Sequence, residues 1–101
     1  MRSLFFLLAL FLTLGTYAQR GTLVVLNKSD DTADLIDLET SESKATLPTG
    51  DGPHEVAISP DGKTAVVTNY GRANWPGSSL SIIDIPSKSV TKVIHLSLIH
   101  I

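Results

Sequence analysis

The chain has 101 residues, a formal net charge of −2 and no cysteine. Its weakly acidic balance, with no basic run, argues against nucleic acid as a partner. The lack of cysteine excludes disulfides and a CxxCH haem attachment, so the folded chain must depend on packing.

The first 18 residues predict a signal peptide. Arg2 supplies the positive start, residues 4–14 an apolar core, and residues 16–18 a cleavage site with small residues at its ends. The apolar run is shorter than the roughly 20 residues that a membrane span needs. We therefore expect an exported protein, periplasmic or secreted, with no stable membrane span after cleavage before Gln19.

A strand–turn–strand unit follows in residues 52–71, GPHEVAISPDGKTAVVTNYG. The predicted strands cover residues 56–59 and 64–69, and β-branched valines and isoleucines recur in both. Between them, the Asp61–Gly62 pair readily supplies the positive φ of a tight turn. This unit is the pattern that the rest of the chain repeats in part.

The repeat has a period typical of propeller blades. LVVLN at residues 23–27 matches AVVTN at 65–69, and LIDL at 35–38 matches IIDI at 82–85. The two offsets, 42 and 47 residues, differ by five, which we assign to an inserted loop in residues 71–79. Such a period with short strands and Gly/Pro/Asn/Asp turns indicates a β-propeller, whereas a helical repeat would need a 3.6-residue periodicity.

The combination of PHEVAISPDGKTAVVTN and SLSIIDIPSKSVTKVI resembles the YVTN-type β-propeller repeat, from Leu23 to about Ile94. The resemblance implies an all-β fold of four-stranded antiparallel meanders, as in lactonase-like seven-bladed propellers. That family includes surface proteins, lactonase-like enzymes and relatives of haem d1-binding proteins, so the resemblance implies a fold more than an activity.

Mapped onto blades, the sequence predicts fewer than two of them. The first lacks its innermost strand, which in closed propellers the C-terminus commonly contributes, and the second is complete. Because propellers typically have four to eight blades, we expect a fragment that is inactive alone.

The last six residues match a translated sequencing adapter and predict a non-native tail. The expected divisions are 1–18 signal peptide, 19–49 incomplete blade, 50–95 complete blade (19–95 being the partial propeller) and 96–101 tail.

Meander connectivity places successive turns at alternate ends of a blade, so the loop before strand 56–59 and the loop after strand 64–69 should share one end. Propellers usually bind ligands at such a rim. The candidate ligand-binding residues are therefore His54, Glu55, Asn69, Tyr70, Arg72 and Trp75, with Asn27, Lys28, Asp30 and Asp31 of the first blade on the same rim.

Each candidate also has a structural interpretation. His54 suits a general base or a metal ligand, but also a hydrogen bond to a loop backbone. Glu55 fits a solvated strand start, and Trp75 either a stacking platform or a loop anchor against Tyr70. A second histidine at ligand spacing is missing, so we predict no metal site wholly within this chain, which leaves open that His54 joins ligands from further blades. We also predict no cofactor. Asp37 and Asp84 recur at one position of the repeat, which favours turn hydrogen bonds over catalysis.

Two functions remain open. The first is an exported binding or scaffolding propeller that presents its rim to a protein, a glycan or a small molecule. The alternative is a propeller enzyme, a lactonase-like hydrolase or a haem d1-associated protein. Inward-pointing His, Asp, Glu or Asn side chains in further blades would distinguish the enzyme from the binding protein.

Overall fold

The computed structural model describes residues 20–72 and 75–96, so the predicted signal peptide and residues 97–101 of the predicted tail lie outside the described residues. Within these ranges the chain forms two antiparallel sheets, one of three strands and one of four, and no helix that is long and apolar enough to cross a membrane. The prediction of an all-β fold is confirmed. The strands are β1 (Thr22–Asn27), β2 (Thr32–Asp37), β3 (Ser43–Pro48), β4 (Pro53–Ile58), β5 (Thr64–Arg72), β6 (Trp75–Asp84) and β7 (Ser89–His95).

Each predicted strand is present, and strand order follows chain order in both sheets. The first sheet has the order β1-β2-β3 and the second the order β4-β5-β6-β7, as expected for meanders. β4 begins at Pro53 instead of Val56, so His54 and Glu55 belong to the strand itself. The three-stranded sheet lies in residues 22–48 and the four-stranded sheet in residues 53–95.

The predicted loop at residues 71–79 is wrong. β5 and β6 continue to pair through it, with Gly71 opposite Pro76 and Arg72 opposite Trp75. The register shifts between Asn69 and Gly71, where Gly71 has a φ of 85°. A β-bulge of this kind takes up an extra residue without ending the ladder. Composition favoured a loop, but glycine at the bulge lets the hairpin grow instead.

One apolar core joins the two sheets. In β2 and β5 the buried residues alternate with less buried ones, as in strands with one face covered. The buried face of the first sheet meets the buried face of the second, and the residues fully enclosed between them are small or β-branched for the most part. They are Ala33, Leu35, Leu47, Ala65, Val67 and Ile83.

The opposite face of the second sheet also carries apolar side chains. Val66 pairs with Ile82, and Leu80 with Ile94, and all four are only partly buried. A sheet with apolar residues on both faces is typical of a layer packed on two sides.

The turns at the far end of the second sheet are built by short polar side chains. The Asp61 carboxylate accepts hydrogen bonds from the Ser59 hydroxyl (2.6 Å) and the Lys63 amide (3.0 Å), and Gly62 has a φ of 73°. Both bonds lower the pKa of Asp61, and the bond from Ser59 has the larger effect. The predicted Asp–Gly turn is confirmed.

The recurring aspartates also serve turns, as predicted. The Asp37 Oδ1 atom accepts a bond from the Glu39 amide at 2.9 Å, and the Asp84 Oδ2 atom one from the Ser87 amide at 3.0 Å. Hydrogen bonds from Ser87, its side chain first, lower the pKa of Asp84. The two copies of the repeat thus share a turn device as well as a strand pattern.

A polar cluster lies on the first sheet, on the face away from the core. The Asn27 amide nitrogen donates to Thr32 Oγ1 (3.1 Å) and to Asp34 Oδ2 (3.0 Å), and Thr46 Oγ1 donates to Asp34 Oδ1 (2.5 Å). The bond from Thr46, and after it that from Asn27, lowers the pKa of Asp34. These three bonds tie β1, β2 and β3 together through their side chains.

Because the second sheet has apolar side chains on both faces, we can predict how residues 19–95 behave in isolation. Expressed alone, they should aggregate or stay unfolded, because the face with Val66, Leu80, Ile82 and Ile94 has no cover in water. Size-exclusion chromatography with thermal melting checks this. A monomer with a sharp cooperative melt would contradict it.

Candidate functional site

Three connections meet at one end of the two sheets, which we call the rim. They are the β1–β2 turn, the β3–β4 connection and the tip of the β5–β6 hairpin. The Thr49 amide donates to the Asp31 carbonyl at 2.9 Å, which joins the first two. At the far end, the Ile85 amide donates to the Lys63 carbonyl at 2.8 Å, which joins the two turns there. The predicted alternation of the connections between the two ends is confirmed.

Asp31 is the central residue of the rim. Its Oδ1 atom accepts a hydrogen bond from the Gly52 amide at 2.9 Å, and its Oδ2 atom pairs with the Arg72 guanidinium. Asp31 itself has a φ of 56°, in the left-handed region that Asp tolerates better than most residues. One carboxylate therefore links the β1–β2 turn to both the β3–β4 connection and β5.

The β3–β4 connection lies directly against β5. The Tyr70 amide donates to the Gly52 carbonyl (2.9 Å) and the Gly71 amide to the Asp51 carbonyl (2.7 Å). Gly52 has a φ of 65°, and a Cβ atom there would lie 2.1 Å from the Gly71 carbonyl oxygen. A Cβ atom on Gly50 would likewise lie 2.7 Å from the Asn69 amide nitrogen. Only glycine allows this close approach.

A cleft of about 450 Å³ opens at the rim between the two sheets. We call it the rim cleft. One wall comes from the β1–β2 turn and the other from the β3–β4 connection with the end of β5. Its described lining residues are Lys28, Ser29, Gly52, Tyr70, Gly71 and Arg72.

Three of the predicted residues form one group beside the rim cleft. The rings of His54 and Tyr70 stack with centroids 4.5 Å apart and planes 5° from parallel. The Tyr70 hydroxyl donates to Glu55 Oε1 at 3.0 Å, and His54 Nδ1 lies 3.9 Å from the same oxygen. The bond to Glu55, reinforced by its negative charge, raises the pKa of the Tyr70 phenol. Tyr70 is thus held by contacts to its ring and to its hydroxyl.

Asn69 is placed differently from the other candidates. It is 3% exposed, and its amide nitrogen donates to the hydroxyls of Ser79 and Ser81, each at 3.0 Å. Its Oδ1 atom is buried without a hydrogen-bond partner among the described residues. Because Asn69 lies beneath Gly50, it supports the β3–β4 connection from below and does not line the rim cleft.

The remaining candidates are Arg72 and Trp75. Arg72 lines the rim cleft, and Trp75 begins β6 directly opposite it. The side chain of Trp75 lies outside the described part of the structure, so both of its predicted roles stay predictions.

Sequence reasoning placed Lys28 and Asp31 on the rim, but it missed that Ser29, Gly52 and Gly71 line the cleft. It also missed that the Asp31 carboxylate links the β1–β2 turn to the β3–β4 connection and to β5. A signal for the close approach of the β3–β4 connection was present in the TGDG run of residues 49–52, in which two glycines flank an aspartate between two predicted strands. In residues 20–72 and 75–96, no three His, Asp or Glu side chains are grouped as metal ligands.

Comparison with known proteins supports the fold. No protein-family model and no curated protein matches the chain. Among solved structures it is similar to hydrazine synthase from Kuenenia stuttgartiensis, a protein that contains a β-propeller, with 30% identity and a TM-score of 0.69. The match covers 76% of this chain and 21% of that one, so this chain spans about a fifth of its length. The two sheets accordingly fit partial blades of a β-propeller.

The close approach at Gly52 can be tested by a pair of substitutions in the full-length protein. Gly62→Ala places a side chain in open space at a positive φ, so it should cost about 1–2 kcal/mol of left-handed strain. Gly52→Ala has similar strain and an overlap with the Gly71 carbonyl as well, which should cost about 1–3 kcal/mol more. Denaturant unfolding measures both losses, and equal losses would show that the connection shifts freely.

The Tyr70–Glu55 contact can be tested by pH titration. A raised phenol pKa means that the folded state favours the protonated phenol. This stability is present below the ordinary pKa of about 10 and is lost as pH rises through the raised value. Ultraviolet difference titration against Tyr70→Phe should give a midpoint above 10, and Glu55→Gln should lower it. Glu39→Gln, in the distant β2–β3 turn, is the matched control. An unchanged midpoint in Glu55→Gln would rule out the coupling.

Proposed function

We propose that this chain is part of an exported β-propeller of the YVTN type that binds a small ligand in its rim cleft. The predicted signal peptide of residues 1–18 supports export, and the SPDGK, VVTN and IIDI motifs support the family. The likeness to one-fifth of a propeller-containing protein supports the architecture, although that protein's activity does not transfer with it.

The rim cleft is the observation that carries the proposal. Its volume of about 450 Å³ is in the range of small-molecule sites, roughly 300–1,000 Å³. Its described lining combines positive charges and a hydroxyl, from Lys28, Arg72 and Ser29, with the aromatic ring of Tyr70. A few polar groups beside an aromatic surface are the usual composition of a ligand site.

The same lining favours binding over catalysis. Among its described residues there is no histidine and no carboxylate, the groups that general acid–base catalysis uses most. His54 and Glu55 lie next to the cleft, but the His54 ring stacks on Tyr70 and the Glu55 carboxylate accepts a hydrogen bond from the Tyr70 hydroxyl. Both therefore act on the position of Tyr70, and neither favours the lactonase-like or haem d1-associated alternative.

Rigidity of the walls also supports a binding role. The backbone bonds from Tyr70 and Gly71 to the β3–β4 connection fix one wall. The bond from the Gly52 amide to the Asp31 carboxylate fixes that wall relative to the β1–β2 turn, which forms the other. A site that is already formed loses little conformational entropy when a ligand enters.

The proposal is tested by filling the cleft. Ser29→Trp introduces a large ring at its mouth, and Ser87→Trp makes the same change in the exposed β6–β7 turn at the far end. In the full-length protein, a thermal-shift screen of sugars, organic acids and short peptides should find compounds that stabilise the wild type and Ser87→Trp. These compounds should stabilise Ser29→Trp at least about tenfold more weakly, because the indole occupies their site.

The screen has two outcomes that would overturn the proposal. In the first, every stabilising compound acts equally on Ser29→Trp, which places the ligand site elsewhere. In the second, none of the compounds stabilises the wild type. Circular dichroism of both tryptophan variants, compared with the wild type, ensures that lost binding does not reflect lost structure.

A further inference from the structure

The described lining of the rim cleft holds two cations, Lys28 and Arg72, and no anion. Asp31, which is not among the lining residues, pairs with Arg72 and offsets one of these charges, so one positive charge is in excess. Asp30 and Asp51 belong to the same connections, but neither is among the described lining residues. Glu55, the other nearby carboxylate, is engaged by the Tyr70 hydroxyl.

Arg72 is held in place and still able to bind. Its Nη2 atom contacts Asp31 Oδ2, while Asp31 Oδ1 is fixed by the Gly52 amide at 2.9 Å. A guanidinium carries five N–H donors, so a contact through one nitrogen leaves donors for a second acceptor. The Arg72 side chain is 53% exposed, and it lines the cleft on the side opposite Lys28.

Tyr70 adds an aromatic surface, fixed in position, to the lining of the rim cleft. Its ring is stacked on His54 at 4.5 Å, and its hydroxyl is bonded to Glu55 at 3.0 Å. An aromatic side chain that is held at both its ring and its polar end loses little freedom when a ligand packs against it.

From this arrangement we infer that the rim cleft binds small molecules that carry a single carboxylate next to a planar or apolar body. The inference rests on the proposed function and specifies the class of ligand. Arg72 and Lys28 bind the carboxylate, for which a guanidinium offers paired donors of matching geometry. The body packs on Tyr70. A phosphate ester, which carries about 1.5–2 negative charges at neutral pH, exceeds the excess positive charge and is repelled by Asp31.

Three probes of similar shape separate these possibilities in the full-length protein. Benzoate carries the carboxylate, benzamide is its uncharged counterpart, and phenyl phosphate is the doubly charged one. Two-dimensional amide NMR spectra recorded during each titration measure affinity and place the site. Benzoate should shift the amides of Lys28, Tyr70 and Arg72, and should bind at least about tenfold more tightly than either other probe.

A lysine pair provides the matched control. Lys28→Met keeps the length of the side chain and removes its charge, and should weaken benzoate binding about five- to tenfold. Lys63→Met makes the same change in the β4–β5 turn at the far end of the sheet and should leave the affinity unchanged. Both lysines are exposed, so neither change should disturb folding. Unaltered spectra outside the substituted turn verify this.

Several outcomes overturn the inference. Equal binding of benzamide removes the role of charge, and tighter binding of phenyl phosphate assigns the cleft to phosphate esters. Equal losses in the two lysine variants, or no binding of benzoate at all, remove the assigned carboxylate site. In each case the proposed function still stands if another compound from the screen binds the wild type and is blocked by Ser29→Trp. If none is blocked, both fail together.

Discussion

The contact between the Asp31 carboxylate and the β3–β4 connection is the interaction on which the rim depends. Apolar contacts between two packed sheets have no preferred direction, so they do not by themselves orient individual polar groups at the edge of the sheets. The bond from the Gly52 amide to Asp31 does have a direction, and so does the ion pair to Arg72. These two contacts fix the β1–β2 turn against β5, and thereby the shape of the cleft between them.

The apolar core explains why a single carboxylate, that of Asp31, is enough to fix the two sheets relative to each other at the rim. Leu35 of the first sheet and Val67 and Ile83 of the second are almost completely buried. Close-packed side chains of this kind resist changes in spacing, because any gap that opens loses contacts on both sides. Packing therefore fixes the distance between the sheets, and the rim contacts fix their register at one end. The binding surface is built where the two constraints meet.

The fold could be read from the sequence because its signals are local. The Asp61–Gly62 turn, the β-branched strands and the recurring Asp37 and Asp84 each act within a few residues of their own position. The paired strands through Gly71 were missed because a bulge next to a glycine has the same composition as a loop.

The candidate site was harder to predict because its contacts join distant parts of the chain. Strand alternation was enough to bring His54, Glu55 and Tyr70 to one end of the second sheet. The same alternation puts Asn69 on the buried face with Ala65 and Val67. It could not show that Asn69 lies beneath Gly50, because that contact depends on the path of the β3–β4 connection. Nor could it reveal the link from Asp31 to Arg72, which spans 41 residues and depends on how two separate sheets pack.

The polar cluster on the first sheet has a consequence for how the protein should be produced. Asn27 begins an Asn-Lys-Ser triplet, the acceptor sequence for N-linked glycans. Its amide nitrogen has two protons, and it donates them to Thr32 and Asp34. A sugar on that nitrogen would leave one proton, so glycosylation and the complete cluster exclude each other. An expression host without N-glycosylation therefore preserves the side-chain link between β1 and β2, whereas a eukaryotic secretory pathway puts it at risk.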